Sequence, residues 1–487
     1  MHAVEVVIIG SGFGGLGAGV KLKEHGLTDF VILEQAAGVG GVWRDNTYPG
    51  CACDVRVHLY SFSFLPNPDW SHTYARQPEI LAYLERVVTT FGLGPHLRLG
   101  HRVVDAVWDE RQARWLVSCA NGAQFRSRFV IAALGGLSRP STPRLEGLER
   151  FKGAVFHSAQ WRHDVSLEGR RVGVVGTGAS AIQFVPQLVD RAAEVHVFQR
   201  TPAWILPRND RPIGPFARKV FRLLPVLQRL LRWGLYWLHE LRVPAFTKAT
   251  WLMTLAANLA RKHLDAQVAD EALRRKLTPD YTLGCKRVLV SDDFYPAVAR
   301  ANCHLVTEPI AAVTENGVRT SDGREHPCDA LVFGTGFVVT DVVGPVRVVG
   351  RNGVTLAEAW RYGAKAWFGT AVHGFPNFFM LTGPNTGLGH SSMVFMIESQ
   401  LTFVLRAMQA VTSAGARWWQ VRDDAEVRFN EGLERRLRTT VWLSGCQSWY
   451  LDERGKNVTL WPGFTFTFRA GLSRFDRTQH HLEGVST

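Results

Sequence analysis

A chain of 487 residues with 46% hydrophobic content can bury a large core and is expected to divide into two or three domains. Its seven cysteines, at 51, 53, 119, 285, 303, 328 and 446, fit neither a disulfide framework nor the C-x-x-C of redox and zinc sites, and the first strand begins too early for a signal segment, so the expected compartment is the reducing cytoplasm. The net charge of +13 is concentrated in residues 208–287, which hold 16 Lys and Arg against 6 Asp and Glu, yet no zinc-finger spacing or RNP motif accompanies it, which argues against nucleic acid.

In chain order, Val4-Glu5-Val6-Val7-Ile8-Ile9 reads as a buried parallel strand, followed by a glycine-rich turn at Gly10, Gly12 and Gly15 and a helix from Gly14 to about His25. The strand Phe30–Leu33 then ends in Glu34, where an acidic residue hydrogen-bonds an adenosine ribose. Strand, G-x-G-x-x-G, helix and acid together form a dinucleotide fingerprint, with the pyrophosphate resting on backbone N–H groups around Gly12, Phe13 and Gly14. Alternating strand and helix patterns continue to a strand over 128–135, and the Pro-rich piece Arg139–Pro143 reads as a linker.

A second fingerprint follows: strand Val172–Val175, then Gly176-Thr177-Gly178-Ala179-Ser180-Ala181, then strand Val195–Phe198. Here Gln199, Arg200 and Thr201 replace the acid, and a guanidinium at this point suits the 2′-phosphate of NADP. The inference is FAD at the first site and NADPH at the second. Between Arg218 and Arg242 a helical stretch interleaves basic and aromatic residues. It reads as a helical cap over a substrate site or as a peripheral membrane contact; the longest uncharged run nearby, Ala249–Ala260, is far short of the roughly 20 residues of a span. Asp329–Gly336 is another buried strand running into glycines, and the remainder returns to complete the first domain.

The fold class expected is α/β, two Rossmann-like dinucleotide-binding domains with a helical insert. The FAD-binding domain takes residues 1–138 and 344–487, the NADP-binding domain 139–207 and 284–343, and the insert 208–283. The aromatic group Trp449, Tyr450, Trp461, Phe464, Phe466 and Phe468 reads as core packing rather than a pocket lining.

The segment Gly40-Gly41-Val42-Trp43 to Tyr48-Pro49-Gly50 and Asp54 resembles the long fingerprint of type I Baeyer-Villiger monooxygenases at every fixed position. Phe151, Gly153, His157 and Trp161 resemble the short fingerprint of the same family, with a departure at Arg162, where the family has Pro or Asp and the amine- and sulfide-oxidising flavin monooxygenases have a basic residue. A smaller departure is Leu134, where the family usually has threonine. Gly284-Cys285-Lys286-Arg287 resembles the family segment whose arginine lies over the flavin, and Leu381–His390 the glycine-rich loop that passes the flavin ring.

The resemblance implies cofactor contacts from Val42, Trp43, Asp54, Tyr60, Arg287 and Asn385, with His157 conformational in role. It further implies a monooxygenase that inserts one oxygen atom from dioxygen beside a ketone carbonyl through a peroxyflavin. Arg287 would stabilise the anionic oxygen nucleophile, Asp54 would hold Arg287, and Lys286 would reach the NADP phosphate with Arg200. The Lys286–Arg287 segment and the compact length look most like the 4-hydroxyacetophenone monooxygenase group. The rival activities are sulfide or amine oxygenation and, more distantly, NADPH-dependent flavin reduction without oxygenation.

Overall fold

The computed structural model describes residues 1–341, 343–344 and 346–484. The apolar run after His2 forms strand β1 (His2–Ile9), in which Val6, Val7 and Ile8 are fully buried. It runs into helix α1 (Phe13–Glu24), whose Gly17 brings the helix against Phe62 and Leu401: a Cβ there would lie 3.0 Å and 3.3 Å from those side chains. β1 is flanked in parallel by β2 (Phe30–Leu33) and by the last of four further strands, β3 (Leu97–Arg98), β4 (Val103–Asp109), β5 (Arg114–Cys119) and β6 (Gln124–Ala132). The sheet order is Arg347–Val349, β4, β5, β6, β1, β2, β3. Strand Phe378–Met380 also pairs with β6, so the sheet takes strands from both ends of the chain. The strand expected over 128–135 stops at Ala132, because Gly10 sits against the Ala133 carbonyl and the chain turns away there.

A second, wholly parallel sheet contains β7 (Ala154–His157), β8 (Arg171–Val175) and β9 (Glu194–Phe198), in the order Cys303–Val306, β9, β8, Ala330–Phe333, β7. The chain crosses between the sheets twice, and the crossings lie side by side: Ser141 N–H donates to the Gly336 carbonyl at 2.9 Å and Pro140 bridges Phe337.

The basic insert leaves after β9. Its central stretch, expected as one helical segment, is two helices, Pro215–Leu223 and Pro225–Glu240. Pro225 has no N–H and disfavours a helical Leu224, so the first helix must end there. The aromatic group near the C-terminus divides: Tyr450, Trp461 and Phe468 are buried core, whereas Trp449 and Phe466 are exposed.

The cysteine expectation is overturned as well. Cys285 and Cys446 form a disulfide with their Cα atoms 6.1 Å apart, and the other five cysteines are free and buried. The partners are 161 residues apart and meet only through the fold, which is why their spacing gave no sign of the bridge. Cysteine usage therefore gives no ground for placing the chain in a reducing compartment.

Candidate active site

At the first nucleotide site, Gly10 takes φ +100° and a Cβ there would lie 2.6 Å from the Ala133 carbonyl oxygen; one on Gly15 would lie 1.8 Å from the Gly10 carbonyl oxygen. Both glycines are required by the backbone itself. Gly12 differs, since its Cβ would meet only Gly41 Cα at 3.7 Å, so its bareness keeps the surface over the turn open. Gly14 packs beneath it against Ala133 and Leu381. No side chain caps α1 and no acid sits in its first turn, leaving N–H groups and the positive helix end for a pyrophosphate. Glu34 is buried at the end of β2, where it accepts from Ser11 N–H (3.0 Å), Ser11 Oγ (2.6 Å) and Ala36 N–H (3.0 Å) and pairs with Arg44 at 3.1 Å. A glycine cradle, an open helix end and a fixed carboxylate fit an adenine dinucleotide.

Phe13, Trp43 and Tyr60 form one cluster beside this turn: Phe13 packs edge-on to Tyr60, and the Trp43 indole N–H donates to the Tyr60 hydroxyl at 3.0 Å. Val42 is half-buried next to Trp43. Asn385, expected at the cofactor, is buried with its side-chain amide donating to the carbonyls of Asn457 (2.8 Å) and Leu460 (3.2 Å). The backbone N–H also donates, to the Val458 carbonyl at 2.9 Å, so both Asn385 donors are committed to the C-terminal loop.

The second site repeats the geometry. Gly176 also has φ +100°, and a Cβ there would lie 2.9 Å from the Gly334 carbonyl oxygen. Gly178 and Ala179 are exposed at the mouth of helix Ala181–Val189, which no side chain caps; Ser180 precedes it half-exposed. The Thr177 hydroxyl donates to the Thr201 carbonyl at 3.3 Å, tying the turn to the strand end that carries Arg200. Arg200, Thr201 and Lys286 line a cavity of about 570 Å³, joined by Arg275 and Lys276 from the insert and by Cys446. Burial, and then the neighbouring Arg200 charge, push the Lys286 ammonium below its usual range. Crowding cations at this cost makes sense where a dianionic phosphate offsets their repulsion. Arg275 and Lys276 escaped sequence reading because nothing in their local spacing points to the β9 end.

Between the two sites, the long fingerprint reaches across the domains. The Tyr48 hydroxyl donates to Gln183 Oε1 at 3.1 Å, and Gln183 exchanges two hydrogen bonds with the Ala52 backbone, at 3.2 Å and 3.0 Å. Gly50, at φ +79°, sits so close that a Cβ would be 2.5 Å from the Gln183 carbonyl oxygen. Gln183 is thus an interdomain clamp that the sequence reading missed; its place on the first turn after the second fingerprint was the available signal.

Asp54 follows directly, and its carboxylate takes hydrogen bonds from Arg287 Nε, at 3.1 Å, and from Nη2 on the same oxygen. Each side chain keeps about a third of its surface, 31% for Asp54 and 32% for Arg287. Burial works to raise the Asp54 carboxyl, but the Arg287 charge and hydrogen bond, helped by Arg208, outweigh it and hold the group below the usual carboxylate range. The Asp54 charge in turn raises Arg287 further above its ordinary value. Arg287 Nη1 makes no hydrogen bond to another described residue, so one face of the guanidinium stays available. Arg208, absent from the sequence reading, braces the pair by donating to the Cys53 carbonyl at 3.1 Å.

His157, His390 and the short fingerprint lie in packed surroundings. His157 is buried at the end of β7, accepts from Ala159 N–H at 3.1 Å and lies against Phe337 of the second crossing. Trp161 packs on Phe156 and Phe184, whereas Arg162 pairs with Asp164 on the exposed surface, so the departure at Arg162 falls away from the packing that defines the motif. His390 is buried against Glu240 of the insert at 3.5 Å.

A family model described as "Pyridine nucleotide-disulphide oxidoreductase" matches residues 7–215. A Baeyer-Villiger monooxygenase of Pseudomonas aeruginosa is 50% identical over 480 residues, covering 98% of this chain and 91% of that protein. Among solved structures, an oxidized steroid monooxygenase bound to NADP is similar with TM-score 0.89 at 31% identity over 99% of both chains. A complex of OTEMO with FAD and NADP gives TM-score 0.88 at 26% identity over 99% of this chain and 100% of that one. With half of its residues shared over nearly the full length of a relative, and the same double-sheet build, the chain belongs to the Baeyer-Villiger monooxygenase family.

Proposed function

We propose that Arg287, held by Asp54, is the group that stabilises negative charge on oxygen while that oxygen adds to a ketone carbonyl. The chain is an FAD- and NADPH-dependent monooxygenase that converts a ketone to an ester or lactone. The chemistry FAD supplies when bound is activation of dioxygen, with NADPH as the hydride donor. This chain's residues do the rest. The Gly10–Gly15 turn and Glu34 bind one dinucleotide, the Gly176–Ala181 turn with Arg200, Thr201 and Lys286 binds the other, and the Gln183 clamp holds the two domains in register. The two sheets support dividing the chain into a flavin unit (1–138 and 344–487), an NADPH unit (139–207 and 284–343) and the insert 208–283.

The observation that carries the assignment is the Asp54–Arg287 pair. Its cation is fixed, permanently charged and free at Nη1, which suits an anionic nucleophile. Oxygenation of sulfides or amines proceeds with a neutral oxidant and has no use for that cation. Replacing Arg287 with Ala is expected to abolish ester formation while NADPH still reduces the flavin; an unchanged ester yield overturns the proposal. Within the family, the Lys286–Arg287 segment supports an aryl ketone as substrate, which a panel of aryl, linear and cyclic ketones tests by relative kcat/KM.

A further inference from the structure

Helix Pro225–Glu240 is built inside out. Its protein-facing stripe is Gln228, Arg232, Leu235 and His239, and three of the four are polar. Gln228 donates to the Asn67 carbonyl at 2.6 Å, Arg232 to the carbonyls of His58 (2.7 Å) and Ser61 (2.9 Å), and His239 Nδ1 lies 2.6 Å from the His390 carbonyl oxygen. The opposite face, which should meet water, carries leucines and tryptophans: Leu230 is 59% exposed, Trp233 64% and Leu241 74%. Its neighbours extend the pattern, with Phe216 at 80% and Trp251 at 69%.

Fourteen of the twenty-four large hydrophobic side chains exposed among the described residues fall between Phe216 and Leu259. Single exposed leucines are ordinary on any protein, but ten large apolar side chains exposed between Leu223 and Leu241, along one helix and its two ends, are not.

Charge identifies what covers it. Residues 215–267 hold nine Lys and Arg against two acids, and one of those acids, Glu240, is buried, where it accepts from Thr465. Arg229 is exposed on this helix, Lys219 on the one before it, and Lys248, Arg261 and Lys262 further along the insert, whereas Arg222 pairs with Asp69. A second copy placed face to face would bring these cations against one another. A bilayer carrying anionic headgroups meets both features at once: aliphatic and indole groups enter the acyl boundary while Lys and Arg reach the phosphates.

We propose that the outward face of the insert, centred on Leu230, Trp233 and Leu241, seats the enzyme on an anionic lipid bilayer without crossing it. Among the described residues no helix is long and apolar enough to span.

The test is co-sedimentation of the holoenzyme with vesicles of phosphatidylglycerol and phosphatidylcholine, against vesicles of phosphatidylcholine alone, with sedimentation velocity of the lipid-free protein alongside. Wild type is expected to pellet with the anionic vesicles at least tenfold more than with neutral ones. The double variant W233E/L241E, which touches neither nucleotide site, is expected to lose that binding tenfold or more while keeping its flavin and NADPH oxidation. Failure to bind anionic vesicles, equal binding to neutral ones, or binding undiminished in the variant overturns the proposal. So does a lipid-free dimer that the double substitution dissolves, which assigns the face to a second copy. Because binding is read without substrate, its failure is separate from failure of the oxygenase reading.

Discussion

Asp54 gives up part of its hydration to meet Arg287, and the contact is favourable only because the guanidinium supplies both charge and hydrogen bonds. A depressed carboxyl contributes stability above its unfolded pKa and loses it as pH falls through the folded value. Product formation is therefore expected to show no acid limb from this pair above about pH 5, since an unperturbed Asp titrates near 3.9. Asp54→Ala frees the fork of Arg287 and is expected to lower kcat for ester formation by about 10²-fold, with flavin content intact; a geometric loss of that size is typical for a misplaced catalytic group. At the second site, Arg200→Ala is expected to raise KM for NADPH by about 10- to 100-fold and leave KM for NADH unchanged, as charge-assisted contacts to phosphate contribute roughly 1.5–3 kcal/mol. Steady-state kinetics with both cofactors check this. Of these residues, Glu34 and Arg200 could be singled out from their places at strand ends after a fingerprint, and Asp54 and Arg287 only through the family resemblance of their segments. Arg44, Gln183, Arg208, Arg275 and Lys276 could not, since their partners lie on other elements and short-range spacing carries no record of them.

The elements around the first turn separate two uses of glycine. Gly15→Ala drives a Cβ into the Gly10 carbonyl and should prevent folding of the α1 entry, read as loss of soluble protein. Gly12→Ala meets nothing closer than 3.7 Å, so the variant should fold, with near-wild-type circular dichroism, and lose flavin because the methyl stands where the pyrophosphate must approach. Retention of full flavin by Gly12→Ala would count against the cradle. The Cys285–Cys446 bridge fixes the segment carrying Lys286 and Arg287 to the loop after Leu443. Across 161 residues of sequence, loop-closure entropy puts its contribution on the order of 5 kcal/mol as an upper figure. Cys446→Ser is expected to lower the thermal midpoint by several degrees, as dithiothreitol does for wild type, with no effect of the reductant on the variant. Strand and helix identities were readable from apolar runs and glycine turns; the break at Pro225 and the inverted face of the following helix were not, because periodicity reports that a helix has two faces and not which of them meets the protein.

Over the whole molecule, the order of elements made the double-Rossmann plan legible: two fingerprints, a linker, an insert and a return to the first sheet. The side-by-side crossings at Ser141 and Gly336 had no sequence sign, since they depend on how two distant segments meet. The distribution of buried histidines sets the acid limit of the fold. Burial lowers His58, His196, His239 and His480 to about 4, from an ordinary value of 6.5. Each contributes stability that is fully present above 6.5 and declines as pH falls toward 4, because the unfolded chain takes up the proton first. Glu426, raised by burial to about 7, acts in the opposite sense, adding stability below its unfolded value and losing it as pH rises toward 7. Four groups outweigh one, so the thermal midpoint is expected to fall between pH 6.5 and 4, which a pH series of melting curves reads directly; a flat profile through that window contradicts it.

The assignment of ketone oxygenation is tested most directly by incubating the holoenzyme with NADPH, an aryl or cyclic ketone and isotopically labelled dioxygen, then weighing the product. The arrangement around Arg287 predicts an ester or lactone one oxygen atom heavier than the ketone, with that atom carrying the label. Ketone recovered unchanged while NADPH is consumed and hydrogen peroxide accumulates, across the whole ketone panel, would contradict it.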